Sequence, residues 1–204
     1  MKASASAKLP RLLERYRKEI APTLAKQFEH KNPLGVAHLN KIVVNVGCGE
    51  AAHDAKVLEA VQRDVALITG QRPLVTRAKK AISNFKIREN DPVGCKVTLR
   101  RARMYEFLDR LVNIALPRIR DFRGLNPKGF DQGSNYNFGL KEHTIFPEIQ
   151  IERVRFPMGM DIAIVTNANT KDQALALLKR FGMPFTKPAV PSVQAAAPPQ
   201  TNGR

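Results

Sequence analysis

Residues 39–46 read Leu-Asn-Lys-Ile-Val-Val-Asn-Val, and their alternation decides the architecture. Successive side chains of a strand point to opposite faces, so Ile42, Val44 and Val46 share an apolar face and Lys41, Val43 and Asn45 share the other. Lys96 to Arg100 repeats the pattern, with Val97 and Leu99 pointing one way and Lys96, Thr98 and Arg100 the other. Met160 to Val165 does so again, placing Met160, Ile162 and Ile164 together. Three strands that are apolar on one side only imply a sheet with one buried face and one free face.

Helical periods lie between them. Leu9, Leu12, Leu13, Tyr16 and Ile20 predict an amphipathic helix that Pro22 ends or kinks. Asp54 is placed to cap a helix carrying Val57, Leu58, Val61, Val65 and Ile68, which Gly70 stops. Met104, Phe107, Leu108, Leu111 and Ala115 form a further stripe ended by Pro117. Thr170 and Gln173 make a capping box for a helix with Leu175, Leu178 and Phe181, closed by Gly182. Pro73–Thr76 and Ile82–Ile87 are short strand candidates flanking a basic loop, Arg77 to Lys80. Residues 118–148 hold no sustained period and read as a long ordered loop with short strand pieces, a kind of segment that usually carries function. Pro, Ala and Gln dominate from Lys187 onward and predict a disordered tail over 187–204. No regular βαβ rhythm appears. The expected fold is therefore α+β, a mainly antiparallel sheet with helices packed on one face and the other face open for a ligand. It reads as a single domain over 1–186 with a protruding basic loop at about 77–90.

Charge indicates the ligand. The 204 residues carry 34 Lys and Arg against 18 Asp and Glu, a net +16, more than solubility requires. Residues 72–103 hold ten of those cations (Arg72, Arg77, Lys79, Lys80, Lys86, Arg88, Lys96, Arg100, Arg101, Arg103) against Glu89 and Asp91, so half the net charge lies in this stretch. Interleaved Pro, Gly and Phe argue against a simple charged helix and for a nucleic-acid surface. No uncharged apolar run approaches the roughly 18 residues of a membrane span. Met1–Lys8 holds no apolar segment and predicts no secretory signal. The only cysteines, Cys48 and Cys95, exclude a disulfide framework or a four-ligand zinc site and suit a reducing compartment.

One enzymatic motif stands out. Gly47 to Ala52 is a G-x-G-x-x-A run after a strand and before a helix, the setting of a dinucleotide turn, and Arg77 after the next strand would suit NADP. Missing βαβ alternation favours a plain tight turn whose glycines relieve strain. His30, His38, His53 and His143 share no metal-ligand spacing, both cysteines read as small buried hydrophobes, and no P-loop, G-x-S-x-G or H-E-x-x-H occurs. The expectation is a protein that is not an enzyme and takes no cofactor or metal. In residues 118–138, Arg118, Arg120, Arg123 and Lys128 alternate with Phe122, Phe130, Tyr136 and Phe138; these rings either stack on unpaired bases or pin the loop to the core.

Longer words are more specific: KIVVNVGCGEA (41–51), ITGQRPLVTRAKKAISNFKIRENDPVGCKVTLR (68–100), LPRIRDFRGLNPKGFDQGSNYNFGLKEHTIFPEI (116–149) and MGMDIAIVT (158–166). Collinear from about residue 8 to 185, they resemble the family of ribosomal protein five of the large subunit. The resemblance implies a cytoplasmic, ribosomal protein of the central protuberance. Its partners would be 5S rRNA, nearby large-subunit rRNA, P-site tRNA, other proteins of the 5S complex and a small-subunit head protein, with no membrane. It implies that Asn45, Gln71, Thr98, Arg100 and Asp161 contact 5S rRNA and that Arg77, Lys79 and Lys80 lie near the tip of a loop approaching the tRNA elbow. The rival readings are an NADP-binding oxidoreductase using the Gly47 turn and a nonspecific nucleic-acid chaperone.

Overall fold

In the computed structural model, which describes residues 9–29, 32–49, 55–150, 152, 154 and 157–186, the alternating segments become strands. These are β1 (Leu39–Gly47), β2 (Leu74–Arg77), β3 (Pro92–Leu99), β4 (Tyr136–Leu140) and β5 (Met160–Thr166). They form one sheet in the order β2-β3-β1-β5-β4, and every neighbouring pair is antiparallel. Ile42, Val44, Cys95, Leu99 and Ile164 are completely buried on one side.

That side meets the helices, as an α+β fold requires. Helix α1 (Arg11–Arg15) continues through a π turn (Tyr16–Ile20) into α2 (Ala21–Gln27). Then come α3 (Ala55–Thr69), α4 (Arg101–Arg110), which runs on through a π turn (Leu111–Ala115), and α5 (Lys171–Arg180). Their buried side chains join those of the strands in one hydrophobic cluster that runs from Leu12 to Met183. The five apolar positions of α3 are all buried, and Gly70 follows it with a left-handed φ of 66°. Thr170 caps α5 by accepting from the Gln173 N–H, and Gln173 Oε1 accepts from the Asn169 N–H. No helix among the described residues is long and apolar enough to cross a membrane.

The chain departs from the sequence expectations at five places. Of the two outcomes expected at Pro22, ending or kinking the first helix, the helix does not end there. The Ala21 N–H reaches back five residues to the Tyr16 carbonyl, so the helical ladder is already widened before Pro22, which has no N–H to give and sits in the first turn of α2. Leu9 lies ahead of the helix and is exposed. Ile82–Ile87 is a single bridge, not a strand. In α5 the core face belongs to Ala174, Leu177, Leu178 and Phe181, leaving Leu175 at its flank. Gly47 and Gly49 relieve no strain: neither has a left-handed φ, and a Cβ on either would meet nothing within 4 Å. The Asp54 cap, Glu50 to Ala52, His30, His53 and the 187–204 tail lie outside the described residues.

The dinucleotide reading fails on topology. Both neighbours of β1 are antiparallel to it, and after α3 the chain enters β2 at the sheet edge, with β3 between it and β1. A dinucleotide fold needs adjacent parallel strands joined by the helix.

A buried polar link ties α3 to the long segment after β4. The His143 N–H donates to the Met158 carbonyl at 3.1 Å, and the Met158 N–H donates to His143 Nδ1 at 3.3 Å. With Nδ1 accepting, the neutral ring carries its proton on Nε2, which faces the Asp64 carboxylate at 3.5 Å. Burial pushes this imidazole below its ordinary 6.5, outweighing the opposing pull of Asp64.

Two features of this architecture can be tested by stability measurements. On Gly94 a Cβ would collide with the Val46 carbonyl oxygen and press on Thr76 Oγ1. Gly94→Ala is expected to cost about 1–3 kcal/mol and to lower the Tm by about 3–10 °C in a thermal melt; an unchanged Tm would mean that β1 and β3 can part at this point. Because the folded state disfavours protonated His143, the unfolded chain takes up a proton near 6.5 that the folded chain does not. Stability should fall on acidification through about pH 6.5 to 5, and the fall should be shallower in His143→Gln, as read from urea midpoints; equal pH slopes in the two proteins would refute it.

Candidate nucleic-acid interface

The register of the sheet determines what its free face displays. Asn45 on β1 stands opposite Lys96 on β3 and Asp161 on β5; beyond them lie Leu74 on β2 and Gly139 on β4. The next row is Thr98, Val43, Ala163 and Asn137, and Lys41 faces Val165 in the row after it. All have the parity opposite to the core residues. Lys96, Asp161, Asn137 and Leu74 are exposed, and Asn45 and Thr98 are half-buried. Gly139 and Ala163 add almost no side-chain bulk, so Asn45, Asn137 and Asp161 surround a shallow depression of about 310 Å³. Among the described residues Asp161 makes no ion pair, which leaves its carboxylate as an acceptor for base amino groups or ribose hydroxyls.

Gln71 and Arg100 sit at one end of this face. Arg100 ends the β3 segment in extended conformation, one residue before α4. Gln71 follows the Gly70 turn, where Thr69 Oγ1 donates to the carbonyls of Val65 at 2.7 Å and Gln71 at 3.1 Å. Arg103, in the first turn of α4, donates to Gln71 Oε1 at 3.5 Å, so Gln71 lies beside the start of the helix that follows Arg100. Of the residues expected to bind RNA, Asn45, Thr98 and Asp161 are brought together on three adjacent strands, and Gln71 and Arg100 flank them.

The 77–91 segment forms an arm built in two tiers. At its root, Ala78 N–H donates to the Asp91 carbonyl, Asn90 N–H to the Ala78 carbonyl, and the Arg77 guanidinium to the Asn90 carbonyl, all within 3.0 Å. Farther out, Ile82 and Ile87 exchange backbone hydrogen bonds of 2.9 and 3.2 Å around a 3₁₀ turn at Ser83–Phe85. This corrects the expected placement: Arg77 belongs to the root, Lys79 and Lys80 are exposed along the limb, and the tip is Ser83 to Lys86.

Sequence reasoning did not single out Asn137, because it read 118–148 as a long ordered loop with short strand pieces and assigned none of them to 136–140. The alternation of Tyr136, Phe138 and Leu140 around Asn137 was the available signal. The rings of that stretch pack against the core. Tyr136 packs with Phe130, Phe185 and Phe138 at centroid separations of 4.8, 5.2 and 5.7 Å, and its hydroxyl donates to the Asn126 carbonyl. Phe122 also packs against the core. Burial pushes the Cys95 thiol up to about 11, with the nearby Cys48 adding to the effect, so it is a poor nucleophile. No three His, Cys, Asp or Glu side chains among the described residues converge on a metal position.

Comparison with known proteins points the same way. Residues 32–88 match the family model described as ribosomal protein L5, and residues 92–185 match the model of that ribosomal family's C-terminus. The chain is 54% identical over 179 residues to the large ribosomal subunit protein uL5 of Caldanaerobacter subterraneus subsp. tengcongensis, covering 88% of this chain and 100% of that one. It is 55% identical over 176 residues to the uL5 of Symbiobacterium thermophilum, covering 86% and 98%, and 52% identical over 179 residues to that of Clostridium acetobutylicum, covering 88% and 99%.

The geometry makes a prediction independent of any ligand. Asn45→Ala, on the free face, should change stability by no more than about 0.5 kcal/mol. Val44→Ala, one residue away on the buried face, should cost about 2 kcal/mol in chemical denaturation. Comparable losses would mean that both faces of β1 are core.

Proposed function

This chain belongs to the ribosomal L5 family, and from that premise we propose that it is a structural, non-catalytic constituent of the large ribosomal subunit whose open sheet face holds 5S rRNA. Asn45, Thr98 and Asp161 would meet the RNA at the centre of the face, and Gln71 and Arg100 at its α4 end. The observation that carries this reading is the register that gathers Asn45, Asp161 and Lys96 in one row, opposite to the core. Donors and a lone carboxylate set at fixed spacing read a folded RNA; cations alone would hold any polyanion.

The arm reaches the elbow of P-site tRNA with Lys79 and Lys80, and Arg77 braces its root. Phosphate contacts suit this task, because tRNAs of every sequence occupy the site and phosphates carry no base identity. Further partners on this reading are neighbouring large-subunit rRNA, other 5S-complex proteins and a protein of the small-subunit head.

Binding to 5S rRNA should weaken by about 1–3 kcal/mol in Arg100→Ala and in Asn45→Ala, measured by filter binding at fixed salt. Excess tRNA or heparin should compete poorly with 5S rRNA for the wild-type protein; equal competition would identify a nonspecific polyanion binder, with a steep salt slope and no shape preference. Lys79→Ala with Lys80→Ala should leave 5S rRNA affinity nearly unchanged and weaken P-site tRNA retention. Loss of 5S rRNA affinity in that double variant would contradict the division between face and arm.

A further inference from the structure

Phe85 sits at the arm's tip, 68% exposed, with Ile82 beside the same turn 47% exposed. It is the one exposed aromatic side chain among the described residues. The arm that carries it is held at two levels by backbone hydrogen bonds, and Lys86 closes its turn with a left-handed φ of 53°. A ring presented this way loses little conformational freedom on meeting a partner.

The surroundings select the partner. Lys79, Lys80, Lys86 and Arg88 are all exposed on the same arm. Of the two acids in the arm, Asp91 accepts from the Arg88 N–H at 2.7 Å and is thereby engaged at the root. A protein interface of ordinary size buries about 800 Å² on each side around an apolar centre, far more than one Phe and one Ile can supply. A single ring among cations matches a nucleobase flanked by phosphates.

We infer that Phe85 is a stacking residue that lays its ring on an exposed nucleobase or terminal base pair of a folded RNA while the neighbouring lysines engage its phosphates. The inference rests on the reading of the arm as the tRNA contact and adds the chemistry of its tip: a sequence-tolerant π surface, since every base offers a flat face.

The test uses large subunits reconstituted with full-length variants and measures the rate of P-site tRNA dissociation. Phe85→Leu keeps the apolar bulk but removes the flat ring, and should speed dissociation about five- to fifty-fold; Phe85→Tyr and Phe85→Trp should stay within about twofold of wild type. The chain contains no Trp, so free Phe85→Trp protein carries a single indole, whose fluorescence should be quenched by saturating tRNA and not by heparin.

If Phe85→Leu behaves as wild type while Lys79→Ala with Lys80→Ala still loses tRNA, stacking is overturned and the arm's role stands. If neither variant changes tRNA retention, the arm reading itself fails, and the inference with it. Equal losses in Phe85→Leu and Phe85→Tyr, or indole quenching by heparin as well as tRNA, overturn a stacked ring. Unchanged tRNA binding with weaker joining to small subunits would assign the tip to a protein partner and overturn the inference.

Discussion

Everything in this molecule depends on the parity of β1. Ile42, Val44 and Val46 are completely buried, and β1 is hydrogen-bonded to an antiparallel strand on each side. A slip of one residue would carry those three side chains to solvent and place Lys41, Val43 and Asn45 in the core. Burying three aliphatic side chains is worth about 1.5–3 kcal/mol each, so the register is held firmly. The polar side inherits that precision without contributing to it. Asn45 stands between Lys96 and Asp161 because its neighbours in sequence point the other way.

This explains which parts were legible in the sequence. Where one face is apolar, period alone identifies the strand, and β1, β3 and β5 were readable together with the placement of Asn45 and Thr98, whereas Asp161 was implied as a site only by the family resemblance. The α3 stripe was equally plain because all five of its apolar positions are used. β4 was hidden: five residues with two aromatics give too short a pattern, and Asn137 was lost with it. The path through Pro22 was also illegible, since a π turn leaves no compositional mark and proline ordinarily ends a helix. The shape of the arm could not be read because it is made by backbone hydrogen bonds between residues such as Ala78 and Asn90, whose side chains say nothing about the pairing. Gly94 shows the same limit from the other side, since the close approach of Val46 that demands glycine there exists only once the two strands have met.

Charge was legible as a quantity and only partly as an arrangement. The ion pairs among the described residues join Arg11 to Asp109, Arg15 to Glu19, Lys18 to Glu14 and Arg110 to Glu148, and a contact at 3.5 Å sets His143 against Asp64. None of these cations comes from residues 72–103, which hold half the net charge. The few ion pairs that form lie outside this concentrated set of cations.

An unneutralised cluster of that size repels itself, more strongly at low salt, and so works against the folded chain on its own. Polyanion binding removes the repulsion and releases the counterions condensed on the nucleic acid, so the same cations favour the complex. Such a term alone would accept any nucleic acid. Discrimination must come from groups whose spacing is fixed by something other than charge, and the row Lys96, Asn45, Asp161 has that property because its positions are set by apolar burial on the far side of the sheet. Asp161 sharpens the argument: a carboxylate on a cationic face lowers the affinity for phosphate in general, so on the proposed reading a bound RNA would offer it a donor.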